Sequence, residues 1–551
     1  MTTLNLREPY SKDELDRLYP KELKLQLVQV FLRHGERTPV SARFQNGLLH
    51  VILPVGILAT ADFADWPYCN VARQMLQMAA SDQDITRWNG FQWRRKMETF
   101  GSDDEAIVST GSGGEAEGIW QVGQHGELTD KGRETTFALG QRLRHLYVDQ
   151  LGFMPSIKSH SKDMYLRSTP IPRALESLQE TFWGMYPANA RTLDFPPPII
   201  VARQLSDETL FPNEGNCRRF RQLAHLFADR AAKRWNESEN MNYVNRLWSK
   251  WMPENSPKVA VDSHPRLSGI MDTVNASDAH GPATKLPSEF FDKKAREYAG
   301  EVAVDEWFAG YSESNEYRKL GIGGLMGDVV DRMVSAAVDG GWRSDTTAAG
   351  SSTDDEGKAI KFALSGCHDT TLAAILGSLG AYENGKWPPF TSSIAVELFS
   401  KSPQESDNAG TMLEEFSHPS IRKRRHNGFL SYLLGPSSSK TASSSSSESE
   451  SPPKPPSETA RMPLSSFPDS ARRTMQTHYV RLRYNDQPVR IPGCASKPQN
   501  HLPGDETFCT LDAFKEIVDK FTPESWREEC ARNLGQGMFG KDGEEKVVAG
   551  F

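Results

Sequence analysis

The sequence predicts an α/β fold, a three-layer α/β/α core with a mostly helical cap domain inserted into it. Three observations predict it. Short apolar segments alternate with helical patterns towards both ends of the chain. The stretch from about 206 to 340 leans to helix, is rich in Trp, Arg and Met, and shows no strand alternation. At 551 residues the chain also exceeds the roughly 250–300 at which one core stops growing.

The elements follow in order. Leu23–Leu32 is short, apolar and partly β-branched, with a glycine soon after, and predicts a buried strand. A polar and aromatic region follows to about Gln124, in which Asp103–Glu117 has loop composition. Thr129 caps a helix running to about Gln150, because Leu139, Leu143, Leu146 and Tyr147 fall on one helical face. Met164–Leu166 predicts a short strand, and a helix begins near Pro172 with Leu175, Leu178, Phe182 and Met185 on one stripe.

Pro198–Ala202 and Ile360–Leu364 predict further strands, with a Ser/Thr/Asp/Gly loop at Ser344–Gly357 before the second. The helix Thr370–Leu379 stops at Gly380. Ile394–Phe399 is a strand, and Val480–Tyr484 with Val489–Ile491 forms a hairpin around Asn485-Asp486. Between these, Ser402–Arg473 is Ser/Pro-rich and too polar to offset its ordering entropy, so disorder is expected. The expected division is 1–48 (start of the core), 49–123 (cap segment with a flexible loop) and 124–205 (core). It continues with 206–340 (helical cap), 341–401 (core), 402–473 (insert) and 474–551 (C-terminal hairpin and helix of the core).

Composition narrows the function. Lys and Arg number 64 against 72 Asp and Glu, a formal charge of −8, which argues against a nucleic-acid partner. Any anionic ligand must meet positive charge gathered in one pocket. No apolar run is long enough for a transmembrane segment. The N-terminal segment lacks the apolar core of a secretory signal and carries Glu8, Asp13, Glu14 and Asp16, so a cytoplasmic location is expected, with mitochondria the runner-up. The six cysteines are then expected as thiols, although Cys494 and Cys509 flank a Gly/Pro-rich loop that an oxidising environment would let them bridge. Their spacing fits no zinc pattern, so no metal and no cofactor are expected.

The chemistry lies at three strand ends: Arg33-His34-Gly35-Glu36-Arg37-Thr38-Pro39, Arg167-Ser168-Thr169 and Gly366-Cys367-His368-Asp369-Thr370. Ligands of open α/β sheets sit beyond the carboxyl ends of strands, so these ends are expected to converge. Arginine forks match phosphate oxygens and keep their charge, which suits Arg33, Arg37 and Arg167 to a phosphoryl group, with His368 as a further donor. Amides at the start of the helix at Thr370 add positive partial charge. There is no P-loop, so His34 is the expected nucleophile, giving a phosphohistidine, and Asp369 the general acid. Gly35 is expected to let backbone approach the phosphate.

Arg33-His34-Gly35-x-Arg37-x-Pro39 with a distant His368-Asp369 resembles the histidine phosphatase superfamily in its acid phosphatase branch. FALGQRLRHLYV, LRSTPIPRALESLQETFWGMYP, LFPNEGNC and KWPPFTSSIAVELF are similar to the lysophosphatidic acid phosphatases of that branch, over perhaps half of the chain. The resemblance implies a metal-free acid phosphatase acting on a small phosphate monoester, with a lysolipid phosphate as first guess. It implies His34 as nucleophile, Asp369 as proton donor, and Arg33, Arg37, Arg167 and His368 as phosphate ligands, with Arg173 in support. A phosphomutase of the same fold and an inactive scaffold relative are the alternatives. Trp88, Phe91 and Trp93 are expected as cap core, and Arg422–His426 as a solvated charge run. Oligomeric state is not legible.

Overall fold

The computed structural model describes residues 8–41, 126–281, 284, 286–342, 359–382, 385–401, 462–539 and 548–551, with the backbone of Arg94–Glu98 and Val108–Ser109. Trp88, Phe91, Trp93, the loop at 344–357, most of the Ser/Pro-rich insert and Arg422–His426 lie outside these residues.

One mixed sheet organises the chain. Its strands are β1 (Leu23–Arg33), β2 (Arg94–Glu98), β3 (Val108–Ser109), β4 (Met164–Ser168), β5 (Ile199–Arg203), β6 (Phe362–Cys367), β7 (Ser393–Lys401), β8 (His478–Tyr484), β9 (Gln487–Val489), β10 (His501–Leu502) and β11 (Asp505–Thr510). They run in the order β10-β11-β8-β7-β1-β6-β4-β5-β2-β3, with β9 paired on β8. Strands β1, β6, β4, β5 and β2 are mutually parallel. Strands β7 and β8 continue antiparallel on the other side of β1.

Burial explains the unbroken apolar run of β1. Val28, Val30 and Leu32 face the helices Asp130–Arg144 and Pro172–Met185. Leu27 and Phe31 face the opposite layer, built by Gly324–Val338, Asp369–Ser378 and Leu511–Asp519. The three-layer α/β/α core is therefore present. A separate apolar cluster, with Trp248, Ile270, Phe290 and Val302, forms the heart of a helical cap. The hairpin turn has Asn485 and Asp486 both at positive φ, 46° and 68°, as a two-residue turn matched to strand twist requires. Across β7 and β8, buried Glu397 accepts two bonds from Arg481 and one each from Tyr19 and Tyr147.

Several boundaries differ from expectation. Arg94–Glu98 and Val108–Ser109 join the sheet, although 49–123 reads as cap; RRKME has neither apolar alternation nor β-branched residues to mark a strand. Helix Gly324–Val338 packs on the sheet rather than in the cap. Disorder over 402–473 is corrected at its end: Asp469–Gln476 is a helix, and Leu464, Phe467, Ala471 and Met475 are buried. Those apolar residues, three of them spaced by four, are diluted in a window dominated by Ser and Pro. Strands β10 and β11 were not predicted. The expected thiols are corrected too: among the described residues Cys217 pairs with Cys530 and Cys494 with Cys509, and Cys367 is buried and free.

Candidate active site

Strands β1, β6 and β4 lie side by side and parallel, so their carboxyl ends share one edge of the sheet. Strand β1 delivers Arg33 and the loop from His34. Strand β6 leads into His368 and into Asp369, the first residue of the helix Asp369–Ser378. Beyond β4 the chain turns at Pro170 into the helix Pro172–Met185, whose first turn carries Arg173.

His34 is buried and pinned. Its amide donates to the Cys367 carbonyl at 3.1 Å, and its own carbonyl accepts from Thr391 at 3.2 Å. Nδ1 lies 2.9 Å from the Gly35 carbonyl, which can only accept, so Nδ1 carries the ring proton. The lone pair is thereby left on Nε2. Burial holds the His34 pKa well below 6.5, and Arg173, Arg37, Arg33 and His368 push it the same way. The ring is a neutral base in mild acid. His368 lies edge-on, 5.5 Å away between centroids, with Nε2 3.1 Å from Thr169 Oγ1.

Arg33 stacks on Phe390 at 4.1 Å, and its Nη2 lies 2.7 Å from Asp369 Oδ2. Arg37 Nη2 lies 2.8 Å from Asp272 Oδ1, a carboxylate from the cap helix Leu267–His280. Arg173 donates to nothing among the described residues, and its pKa is pulled down to about 9, by burial first and Arg37 next. The buried Nε atoms of Arg33, Arg37 and Arg173 all lack a partner among the described residues. Three guanidinium groups around one imidazole, with donors to spare, form a site shaped for a multivalent oxyanion.

Asp369 is held by three donors. Its Oδ1 accepts from the Thr370 amide at 2.8 Å, and Oδ2 from Trp387 Nε1 at 2.9 Å and from Arg33. Burial pushes its pKa up, but Arg33, the Trp387 bond, Arg37 and His368 outweigh burial and set it below the ordinary value. The carboxyl is ionised when no ligand neutralises those cations.

The structure thus brings together Arg33, His34, Arg37, His368 and Asp369, and adds Arg173. It does not bring Arg167. That residue lies fully buried, with Nη2 2.6 Å from Glu208 Oε1 and 3.0 Å from Thr209 Oγ1, and Nη1 3.7 Å from Asp328 Oδ2. The reason is the length of β4, which runs to Ser168 rather than Leu166. Arg167 is still within the ladder, on the face of Tyr165, and projects into the layer between sheet and helices instead of past the strand end. Sequence reasoning also missed Trp387 and Asp272. The Lys386–Phe390 segment KWPPF was the available signal for Trp387; nothing local marks Asp272.

Gly35 has a different part from the one expected. A Cβ there would lie 2.3 Å from the Gly132 carbonyl oxygen, so its bare backbone admits the start of the helix Asp130–Arg144, not the ligand. Its amide donates to Ser177 Oγ at 3.0 Å, tying the loop that carries His34 to the helix that carries Arg173. Gly35→Ala is expected to destabilise the fold by about 1–3 kcal/mol, read as a lower urea midpoint at unchanged slope.

A cavity of about 740 Å³ opens from Arg33 and Phe390 towards the cap. Its walls include Trp387, Pro388, Pro389, Met271, Val274, Val304 and Phe308, with charged groups such as Arg234, Glu301 and Glu313 farther along.

The model of the histidine phosphatase superfamily (branch 2) matches residues 24–415. A probable acid phosphatase of Schizosaccharomyces pombe is 34% identical over 538 residues, 96% of this chain and 98% of that protein. Human lysophosphatidic acid phosphatase type 6 is 26% identical over 381 residues, 68% of this chain and 74% of its own length. Among solved structures, the apo phytase of Hafnia alvei aligns with a TM-score of 0.47 at 12% identity, covering 93% of this chain and 99% of that one. With its imidazole pair among arginines at the parallel strand ends, and with that match across most of its length, the chain belongs to branch 2 of the histidine phosphatase superfamily.

Proposed function

We propose that the chain is an acid phosphatase that hydrolyses phosphate monoesters through a phosphohistidine at His34. The observation that carries this is the neutral His34 Nε2, its lone pair free, among three arginines whose buried Nε donors have no partner among the described residues. The phosphoryl oxygens take Arg33, Arg37, Arg173 and His368 as donors, which supplies the positioning and charge neutralisation that phosphoryl transfer needs.

In the first step Nε2 bonds to phosphorus, the ester P–O bond breaks, and Asp369 gives its proton to the leaving alkoxide. In the second, Asp369 takes a proton from water, the water oxygen bonds to phosphorus, and the P–N bond breaks. Asp369 begins ionised because Arg33 and Arg37 outweigh its burial. A phosphate group seated among the arginines cancels that charge and lets Asp369 rise towards protonation. The depressed His34 keeps its lone pair as the pH falls. Both effects place activity on the acidic side.

Asp369→Asn is expected to lower kcat by about 10²–10⁴-fold on an alkyl phosphate and by much less on p-nitrophenyl phosphate, whose leaving group needs no proton. Equal losses on both would remove Asp369 as the acid. Release of phosphate carrying solvent oxygen in heavy-oxygen water separates hydrolysis from transfer between hydroxyls.

The apolar walls of the cavity support a lysolipid phosphate as substrate, because its volume and lining suit a hydrocarbon tail leading from the phosphate site. The two disulfides support a working place in an oxidising compartment, against the cytoplasmic expectation drawn from the acidic N-terminal segment.

A further inference from the structure

Trp387 stands at the junction of two parts of the site. Its indole N–H donates to Asp369 Oδ2 at 2.9 Å. Its ring packs on Phe308 at 4.7 Å and edge-on against Trp307 at 6.1 Å, both on the cap helix Lys293–Glu313. The same ring forms part of the apolar wall of the cavity that opens from Arg33. Pro388, next in the chain, offers its carbonyl to Arg33 Nη1, and Phe390 lies under Arg33 and beside His34, so this short segment touches Arg33, His34 and Asp369.

We propose that Trp387 is a positioning residue that couples occupancy of the leaving-group cavity to proton delivery by Asp369. The inference rests on Asp369 being the proton donor. A leaving group lying against the indole face confines the ring, and the ring's N–H in turn fixes the plane of the carboxyl. Trp387 and Arg33 both donate to Oδ2, whereas Oδ1 accepts only from the Thr370 amide and keeps a lone pair for the transferable proton. The charged and titratable groups that also act on this carboxyl are Arg33, Arg37, Arg173, His368 and Tyr382. None of them also lines the apolar wall except Arg33, at the mouth, and Tyr382.

The test compares wild type, Trp387→Phe and Asp369→Asn on p-nitrophenyl phosphate and on a series of alkyl phosphates of increasing chain length. Phenylalanine keeps an aromatic ring against Phe308 and removes the donor together with part of the ring's bulk. In the wild type, lengthening the chain is expected to raise kcat as well as lower KM. Trp387→Phe is expected to keep the fall in KM and lose the rise in kcat. Its kcat loss on the longest alkyl phosphate should be about 10–100-fold, at least tenfold greater than its loss on p-nitrophenyl phosphate.

Loss of the N–H also removes a bond that favours the carboxylate, so the limb of the pH profile that reports Asp369 should move to higher pH. If Trp387→Phe loses equally on both substrate types with an unmoved pH profile, the tryptophan is structural and the inference fails. An intact chain-length rise in kcat in Trp387→Phe overturns it as well. If instead Asp369→Asn shows no dependence on the leaving group, the acid assignment itself fails, and the inference with it. Trp387→Leu, which removes both ring and donor, is expected to lose the fall in KM too; if it does not, the ring is not the cavity wall.

Discussion

His34→Ala is expected to lower kcat by about 10⁴-fold or more on every phosphate monoester, because no other described group offers phosphorus a comparable lone pair. Cys367 is buried, and burial pushes its thiol far above the ordinary range, so it does not substitute. His368 keeps Nε2 against Thr169 and sits on the far side of the ring pair. Stability should fall by about 1–3 kcal/mol, since the deletion empties the space of a buried, neutral ring packed on Phe390 and His368. The measurement is phosphate release beside a urea titration. Retained turnover in a folded His34→Ala protein would rule out the covalent route.

The second large effect separates two arginines six residues apart. Arg173→Ala is expected to lower kcat/KM by about 10²–10³-fold, as removal of a donor to a developing oxyanion does. Its folding stability should hold or improve, because its buried charge repels Arg37 and Arg33 and has no acceptor among the described residues. Arg167→Met should behave in the opposite way. It strips the guanidinium from buried Glu208 and takes one of the cations near Asp328, at a cost of about 3–5 kcal/mol, with activity lost only as the protein unfolds. Thermal unfolding and kcat/KM on the same two proteins decide the matter. A stable, inactive Arg167→Met beside a fully active Arg173→Ala would reverse the assignment.

Those two residues also show how far the sequence is legible. Arg33, His34, Arg37, His368 and Asp369 were readable because each lies at the end of an apolar strand, where period and composition change together. Arg167 was misplaced by an error of two residues in the end of β4. In a strand every second residue faces the same layer, so a small boundary error moves a side chain from the ligand to the core. Arg173 was legible as a residue but not as a ligand, since its place depends on how the helix at Pro172 enters beside β1. That entry is fixed by Gly35, Gly132 and Ser177, which meet only in three dimensions. Asp272 and Trp387 reach the site from far along the chain, and contacts of that kind leave no local pattern. The same holds for Cys217 and Cys530, separated by 313 residues. The core strands, by contrast, declared themselves through continuous burial, and the helices through their stripes.

The central claim is that phosphate passes through His34. The direct measurement is rapid acid-free quenching of the enzyme during turnover of p-nitrophenyl phosphate, followed by peptide mass spectrometry under alkaline conditions. The account predicts an acid-labile phosphoryl group on the peptide containing His34, formed within the first turnover and accumulating in Asp369→Asn, where the first step needs no proton and the second lacks its base. A phosphoryl group on another residue, or a burst of phosphate with none bound, would contradict it.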